Sequence, residues 1–222
     1  MTATLSRSVE DYLKTIWQLA KGGDAATSEI AARLDVAPPS VTGMIKRLAE
    51  AGHVVHEPYR GVRLTGQGRL AALAVIRRHR IIETYLITKL GYDWSNVHEE
   101  AERLEHAVSD TLVERMSFAL GHPRYDPHGA PIPTPEGEIE EIACVALDQV
   151  EVGSRVALRQ VGDDDPERLR YLKSIGLMPS TPLEVIDRQP FGGPITVRVG
   201  DQDTRDRVIG PELAACLLVE RR

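Results

Sequence analysis

The stretch Val36-Ala37-Pro38-Pro39-Ser40-Val41-Thr42-Gly43-Met44-Ile45-Lys46-Arg47-Leu48 decides how the chain is read. Two successive prolines are tolerated at the start of a helix, where the backbone N–H groups have no intrahelical partner. A helix is therefore predicted from Pro38 to about Ala51. Val41, Ile45 and Leu48 recur at the spacing of a buried face, and Ser40, Thr42, Gly43, Lys46 and Arg47 fall outside it. Small, hydroxyl and basic side chains suit a helix laid in a DNA major groove. Gly43 lets the backbone come close, and Lys46 and Arg47 can reach phosphates or base edges. Before this helix, Thr27 or Ser28 caps a short helix to Leu34, and Asp35-Val36-Ala37 makes the turn. Earlier still, Val9, Leu13, Ile16, Trp17 and Ala20 mark a helix from about Ser8 to Ala20. Glu10 and Asp11 lie in its first turn, where the helix dipole favours negative charge, and that role accounts for Glu10. After Gly52, His53–His56 and Val62–Thr65 alternate as a hairpin around Glu57-Pro58-Tyr59-Arg60-Gly61, with Arg60 at its tip. The sum is a winged helix-turn-helix expected to use Pro38, Pro39, Ser40, Thr42, Gly43, Lys46, Arg47 and Arg60 on DNA. A helical domain with a solvated face is the competing reading. His53 and His56 sit on a strand facing opposite sides and are read as non-ligands.

Further along, a long helix from about Arg69 to Leu90 carries His79 and Glu83 one turn apart, next to Arg77, Arg78 and Arg80. Beyond a break at Gly91-Tyr92-Asp93-Trp94 comes His98-Glu99-Glu100-Ala101-Glu102-Arg103-Leu104-Glu105-His106. At about 100° per residue, His98, Glu102, Glu105 and His106 occupy about 100° of arc on one helical face. Six nitrogen and oxygen donors within 28 residues suit a first-row divalent metal. A solvated, charge-laced helix is the alternative. A further helix, about Asp110–Leu120, adds apolar surface with Leu112 and Met116, and a homodimer interface is its expected use.

Composition limits the remaining choices. The net charge is −6, with 42% hydrophobic and 27% charged residues, which describes an ordinary globular protein. Residues 1–75 hold 9 Lys and Arg against 7 Asp and Glu, whereas residues 76–143 hold 7 against 13, so the acidic excess lies around the metal stretch. There is no long apolar run and no leader-like N-terminus, so a cytoplasmic protein with no membrane partner is expected. Cys144 and Cys216 have no metal-binding spacing and are read as reduced thiols.

Residues 122–137 contain five prolines and are read as an extended linker. His122, Asp126 and His128 are assigned to that restrained linker rather than to a metal, because Pro-rich chain rarely converges donors. From Leu147 onward, short runs at Arg155–Gln160, Leu183–Arg188, Ile195–Val199 and Cys216–Glu220, with a helix near Glu167–Ser174, suggest a small β-barrel. The fold class is mainly α with a small β domain. Three domains are expected: 1–73 for DNA binding, 74–143 for metal binding and dimerisation with its linker at 122–143, and 144–222 for the barrel.

The chain resembles the diphtheria-toxin-repressor family of metal-dependent regulators. The resemblance rests on Val9-Glu10-Asp11-Tyr12-Leu13, Val36 to Thr42, Arg78-His79 with Glu83, Val97-His98 through Glu105-His106, and Asp126-Pro127-His128-Gly129-Ala130-Pro131-Ile132-Pro133. The tail is similar to the FeoA-like barrel of longer members. The resemblance implies two metal sites. The primary site would use Asp11, Glu102, Glu105 and His106. The ancillary site would use His79, Glu83 and His98, with a barrel ligand for which Asp163 is the first candidate and Asp164, Asp165 and Gln160 remain open. Iron-type relatives place Met and Cys where this chain has Asp11 and Glu102. Hard oxygen in place of sulfur favours Mn²⁺, with Fe²⁺ tolerated. Short manganese-type relatives carry a carboxylate where this chain has Lys14. The resemblance implies a homodimer that binds an inverted-repeat operator in double-stranded DNA and represses metal-uptake genes when metal is bound. Two other classes compete with this reading: a metal-independent winged-helix regulator with a small-molecule effector, and a helical metalloenzyme. The paired Glu-x-x-His motifs of di-iron bundles do not occur between residues 76 and 121, and no catalytic residue is assigned.

Overall fold

The computed structural model describes residues 5–20, 23–57, 60–162, 165–200 and 205–221. The chain forms two compact units. The first comprises the chain through His79, together with Glu105–Val108 and Pro133–Ile139; the second comprises Arg80–Leu104, Ser109–Ile132 and Glu140 onward.

In the first unit, α1 (Arg7–Leu19), α2 (Thr27–Arg33) and α3 (Pro38–Glu50) precede a hairpin of β1 (Val54–Glu57) and β2 (Gly61–Leu64). Helix α1 is amphipathic: Leu13 and Ile16 are fully buried and join Ile30, Val41, Ile45, Leu48, Val54 and Val62 in one core. Pro38 and Pro39 occupy the first helical positions of α3, as the sequence suggests. The start of α2 differs from the expectation. Its N-cap is Ala26, whose N–H donates to Glu29 Oε2 at 3.2 Å, so the glutamate supplies the cap. The hairpin pairs Val54 with Leu64 and Glu57 with Gly61, and Ala25 adds a bridge to Val62. Helix α4 (Gly66–Leu90) begins against this hairpin. A Cβ on Gly68 would lie 1.9 Å from the His53 carbonyl oxygen, so only glycine fits there.

The second unit takes the C-terminal part of α4, then α5 (Val97–Leu104) and α6 (Asp110–Ala119). Ser109 caps α6 by accepting from Leu112 N. The β-rich domain contains β3 (Val145–Ala146), β4 (Arg155–Val161), β5 (Pro182–Arg188), β6 (Ile195–Val199), β7 (Arg205–Ile209) and β8 (Leu217–Arg221), with α7 (Pro166–Ser174) and α8 (Pro211–Cys216). The sheet order is β3-β8-β4-β5-β6-β7, and every pairing is antiparallel. Its core gathers Leu158, Leu169, Leu172, Val185, Val197, Leu217 and Val219, together with Trp94 from the turn before α5. The sequence reading passed over β3, β7 and α8. They are short, and β7 (Arg-Asp-Arg-Val-Ile) carries charge at three of five positions.

The Pro-rich segment is fastened at both ends. Pro133 O accepts from Arg77 within the first unit at 2.8 Å. In the second unit, Val161 N donates to His128 O at 2.9 Å, and Gly129, at φ +89°, lies where a Cβ would come 1.9 Å from Arg159 O. Among the described residues no helix is long and apolar enough to cross a membrane.

Candidate metal centre

Helix α5 ends at Leu104, so Glu105 and His106 belong to the turn that follows it rather than to a continuous helical face. That corrects the single-face reading. The turn Glu105–Val108 is packed in the first unit with α1, whereas His98 and Glu102 stay on α5 in the second.

In the first unit, one ligand atom each from Asp11, Glu105 and His106 lies within 4.8 Å of the others. His106 Nδ1 lies 2.6 Å from Glu10 Oε2, and since a carboxylate only accepts, Nδ1 is the protonated nitrogen. Nε2 is the nitrogen left facing the cluster. It is buried without a hydrogen-bond partner of acceptable geometry, 2.8 Å from Asp11 Oδ1 and 3.3 Å from Glu105 Oε1. An imidazole nitrogen held among carboxylate oxygens is an arrangement that a divalent cation completes, displacing any proton there as it binds, and the residues fit such an ion.

Glu10 thus does more than favour the helix dipole. Its carboxylate is buried, orients His106 through Oε2 and accepts from Arg78 Nη2 through Oε1. No sequence spacing joins residue 10 to 106, although a carboxylate next to Asp11 was a usable signal. Glu10→Gln keeps the shape and removes the charge that supports His106. Its Mn²⁺ affinity, read by calorimetry, should fall about tenfold or more. Unchanged affinity would make Glu10 a packing neighbour only.

Glu105 is fully buried, and Lys14 Nζ donates to both its oxygens at 2.9 Å. His79 Nδ1 lies 2.6 Å from Glu105 Oε2 and therefore donates. Burial pushes the Glu105 carboxyl up, but the His79 hydrogen bond and the Lys14 charge outweigh it, and the group titrates below the ordinary glutamate value. A depressed carboxylate stabilises the fold above its unfolded pKa of about 4.3 and loses that contribution as pH falls through the folded value. In metal-free protein the urea midpoint should therefore drop through this acid range, and Glu105→Gln should flatten that part of the profile.

In the second unit, His98 Nδ1 lies 3.1 Å from Glu83 Oε1, and His98 Nε2 lies 3.5 Å from Glu102 Oε1. Asp126 and His128, assigned above to a plain linker, are both buried here. Asp126 Oδ1 accepts from the backbone N–H of His128 and Ala130 at 2.9 Å, and its Oδ2 faces Arg80 Nε at 3.3 Å. Burial raises the Asp126 carboxyl above the ordinary range despite Arg80. His128 donates Nε2–H to Trp94 O at 3.1 Å and stacks on that indole with centroids 4.9 Å apart. Its Nδ1 is thereby aimed at Glu83 Oε2, 3.9 Å away. The prolines argue against convergence only when the chain is isolated. Here the Asp126 turn and the contact with β4 bend it back. Asp163 and Asp164 lie outside the described residues. Asp165 accepts from Glu167 N and Arg168 N as the cap of α7.

On α3, Pro38, Pro39, Ser40, Thr42, Gly43, Lys46 and Arg47 are all exposed beside the buried Val41, Ile45 and Leu48. Arg60 is exposed on the hairpin, 3.2 Å from Glu57.

Family models match three successive stretches of the chain. Residues 4–62 match the model for the iron dependent repressor N-terminal DNA binding domain. Residues 65–134 match that for the iron dependent repressor metal binding and dimerisation domain, and residues 145–221 the FeoA domain. The iron-dependent repressor IdeR of Mycobacterium tuberculosis is 32% identical over 227 residues, covering 96% of this chain and 97% of its own. The chain belongs to the diphtheria toxin repressor family. The diphtheria toxin repressor of Corynebacterium efficiens is 31% identical over 194 residues, covering 82% of this chain and 84% of its own. A solved manganese-dependent transcriptional repressor in complex with manganese superposes with a TM-score of 0.91 at 39% identity, covering 96% and 100% of the two chains. As a member of the diphtheria toxin repressor family, the protein is a metal-dependent, DNA-binding transcriptional repressor and not an enzyme. Its domains imply DNA and a second copy of itself as partners.

Proposed function

We propose that this repressor responds to Mn²⁺, with Fe²⁺ as the other ion its donors accept, and that metal binding lets a cytoplasmic homodimer hold an inverted-repeat operator and shut off metal-uptake genes. The observation that carries the reading is the buried His106 Nε2, which lies between Asp11 and Glu105 without a hydrogen-bond partner. Asp11, Glu105 and His106 would hold the activating ion, and Glu102, three residues before Glu105, is proposed as a fourth donor. Carboxylate oxygens predominate and no thiolate takes part, which favours the harder ions. The three-domain division at 73 and 143 is retained as part of this proposal.

When bound, the metal supplies the positive charge that holds these donors together. Asp11 sits on α1, whose Leu13 and Ile16 lie in the same core as Val41, Ile45 and Leu48 of α3. Fixing α1 to the Glu105–His106 turn therefore fixes the whole head that presents α3. A metal can shift this equilibrium only by preferring the fastened state. Two heads so fastened would meet successive half-sites about one helical turn apart.

A second site is proposed around Glu83 and His98 with His79, as the family resemblance implies, extended by Asp126 and His128. Two buried carboxylates, Glu83 and Asp126, lie around Arg80 with His98 and His128 beside Glu83, an oxygen and nitrogen donor set that suits a divalent ion. Asp163 remains a candidate here. His128→Phe keeps a ring on Trp94 and removes the nitrogen. Calorimetry should then show the second Mn²⁺ weakened about 10–100-fold with the first unaffected; two unchanged sites would remove His128 from the ligand set.

The overall reading is tested by fluorescence anisotropy of labelled promoter DNA in MnCl₂ and in chelator. Tight binding only with metal is expected. Equal affinity in both would favour a metal-independent regulator with another effector.

A further inference from the structure

Lys14 places a permanent cation inside the proposed activating cluster. It is 7% exposed, and its ammonium touches both oxygens of Glu105 at 2.9 Å and approaches His79 Nδ1 to 3.5 Å. Glu105 therefore has two differently used sides. Oε1 faces His106 Nε2 at 3.3 Å, while Oε2 also takes the His79 contact at 2.6 Å. Around the cluster, Glu10 faces Arg78 and Glu105 faces Lys14. Asp11 faces Arg7 at 3.8 Å, and that arginine's side chain is 66% exposed and screened by water. A second divalent ion on the Glu105–His79 side would have to lie against the Lys14 ammonium, and like charges at contact repel.

We infer that Lys14 is a tethered cation that fills the Glu105–His79 side of the cluster and limits it to a single divalent ion. The inference rests on the reading that Asp11, Glu105 and His106 hold the activating metal. A compact ammonium on a flexible stem neutralises Glu105 through both of its oxygens, the Oε1 that faces His106 and the Oε2 that takes the His79 contact. It also cannot diffuse away, as a free cation can. Lys14 is thus a residue that sets metal stoichiometry, and it touches the ligand rather than the ion. With one buried charge it does the work of a second metal site.

The test counts Mn²⁺ in full-length protein carrying Glu83→Gln and His98→Ala, which takes the second site out of the count. Equilibrium dialysis against MnCl₂ gives the number of ions, and electron paramagnetic resonance shows whether bound ions are isolated or exchange-coupled. One isolated Mn²⁺ per chain is expected with Lys14 present. Adding Lys14→Met should give two coupled ions, and Lys14→Arg, which keeps the charge, should stay at one. Two ions with Lys14 intact would overturn the inference, as would a single ion in Lys14→Met protein of native circular dichroism. If Lys14→Met does not fold, the counts with Lys14 and with Lys14→Arg decide. No bound Mn²⁺ with Lys14 intact would instead overturn the metal assignment to Asp11, Glu105 and His106.

Discussion

Asp11→Ala protein should bind operator DNA as weakly in MnCl₂ as in chelator. In wild type, metal should tighten DNA binding by roughly 5–150-fold, the range of ordinary coupling between two sites. Asp11 is the carboxylate by which α1 joins the cluster, 2.8 Å from His106 Nε2. Glu10 also touches His106, but on its protonated nitrogen, so it cannot replace Asp11 as a ligand. Asp11 is partly exposed, so the alanine variant should fold normally. Anisotropy titrations in both conditions give the result directly. Metal stimulation equal to wild type would sink the assignment of Asp11.

The second large effect concerns stability. In chelator, Lys14→Met should lose about 3–5 kcal/mol, because it leaves the Glu105 carboxylate buried without its cation. Mn²⁺ should then raise the melting temperature of the variant more than that of wild type, since the ions now neutralise a carboxylate that Lys14 no longer serves. Urea unfolding at neutral pH measures the first expectation and a thermal scan the second. A loss below about 1 kcal/mol, the size of an exposed pair, would mean that water already screens the bridge.

Much of this molecule is legible in its sequence because its elements announce themselves locally. Pro38-Pro39 opens α3, the period of Leu13 and Ile16 marks α1, and Gly52 ends the recognition helix. The donors Asp11, Glu105 and His106 came from the family resemblance and the Glu-rich stretch. What could not be read depends on which chain segments meet. The α5 face was expected to continue through His106, yet the helix stops at Leu104 and the turn packs with α1. Glu10 looked like a helix-dipole residue until His106 was found 2.6 Å away, 96 positions along the chain. His128 and Asp126 looked like linker because proline stiffens an isolated chain. Their convergence on Glu83 requires Gly129 to press against Arg159 O and Arg80 to grip the turn, contacts no local pattern encodes. Lys14 could be recognised as unlike its counterparts in short manganese-type relatives, but its partner could not be named.

The central claim is that metal at Asp11, Glu105 and His106 and DNA at α3 stabilise the same state of the head. Thermodynamic reciprocity makes this measurable from the metal side. Mn²⁺ affinity should be titrated in the Glu83→Gln, His98→Ala background, with and without saturating operator DNA. DNA should tighten Mn²⁺ binding by the same factor by which Mn²⁺ tightens DNA binding, whereas a Mn²⁺ affinity indifferent to DNA would contradict the account.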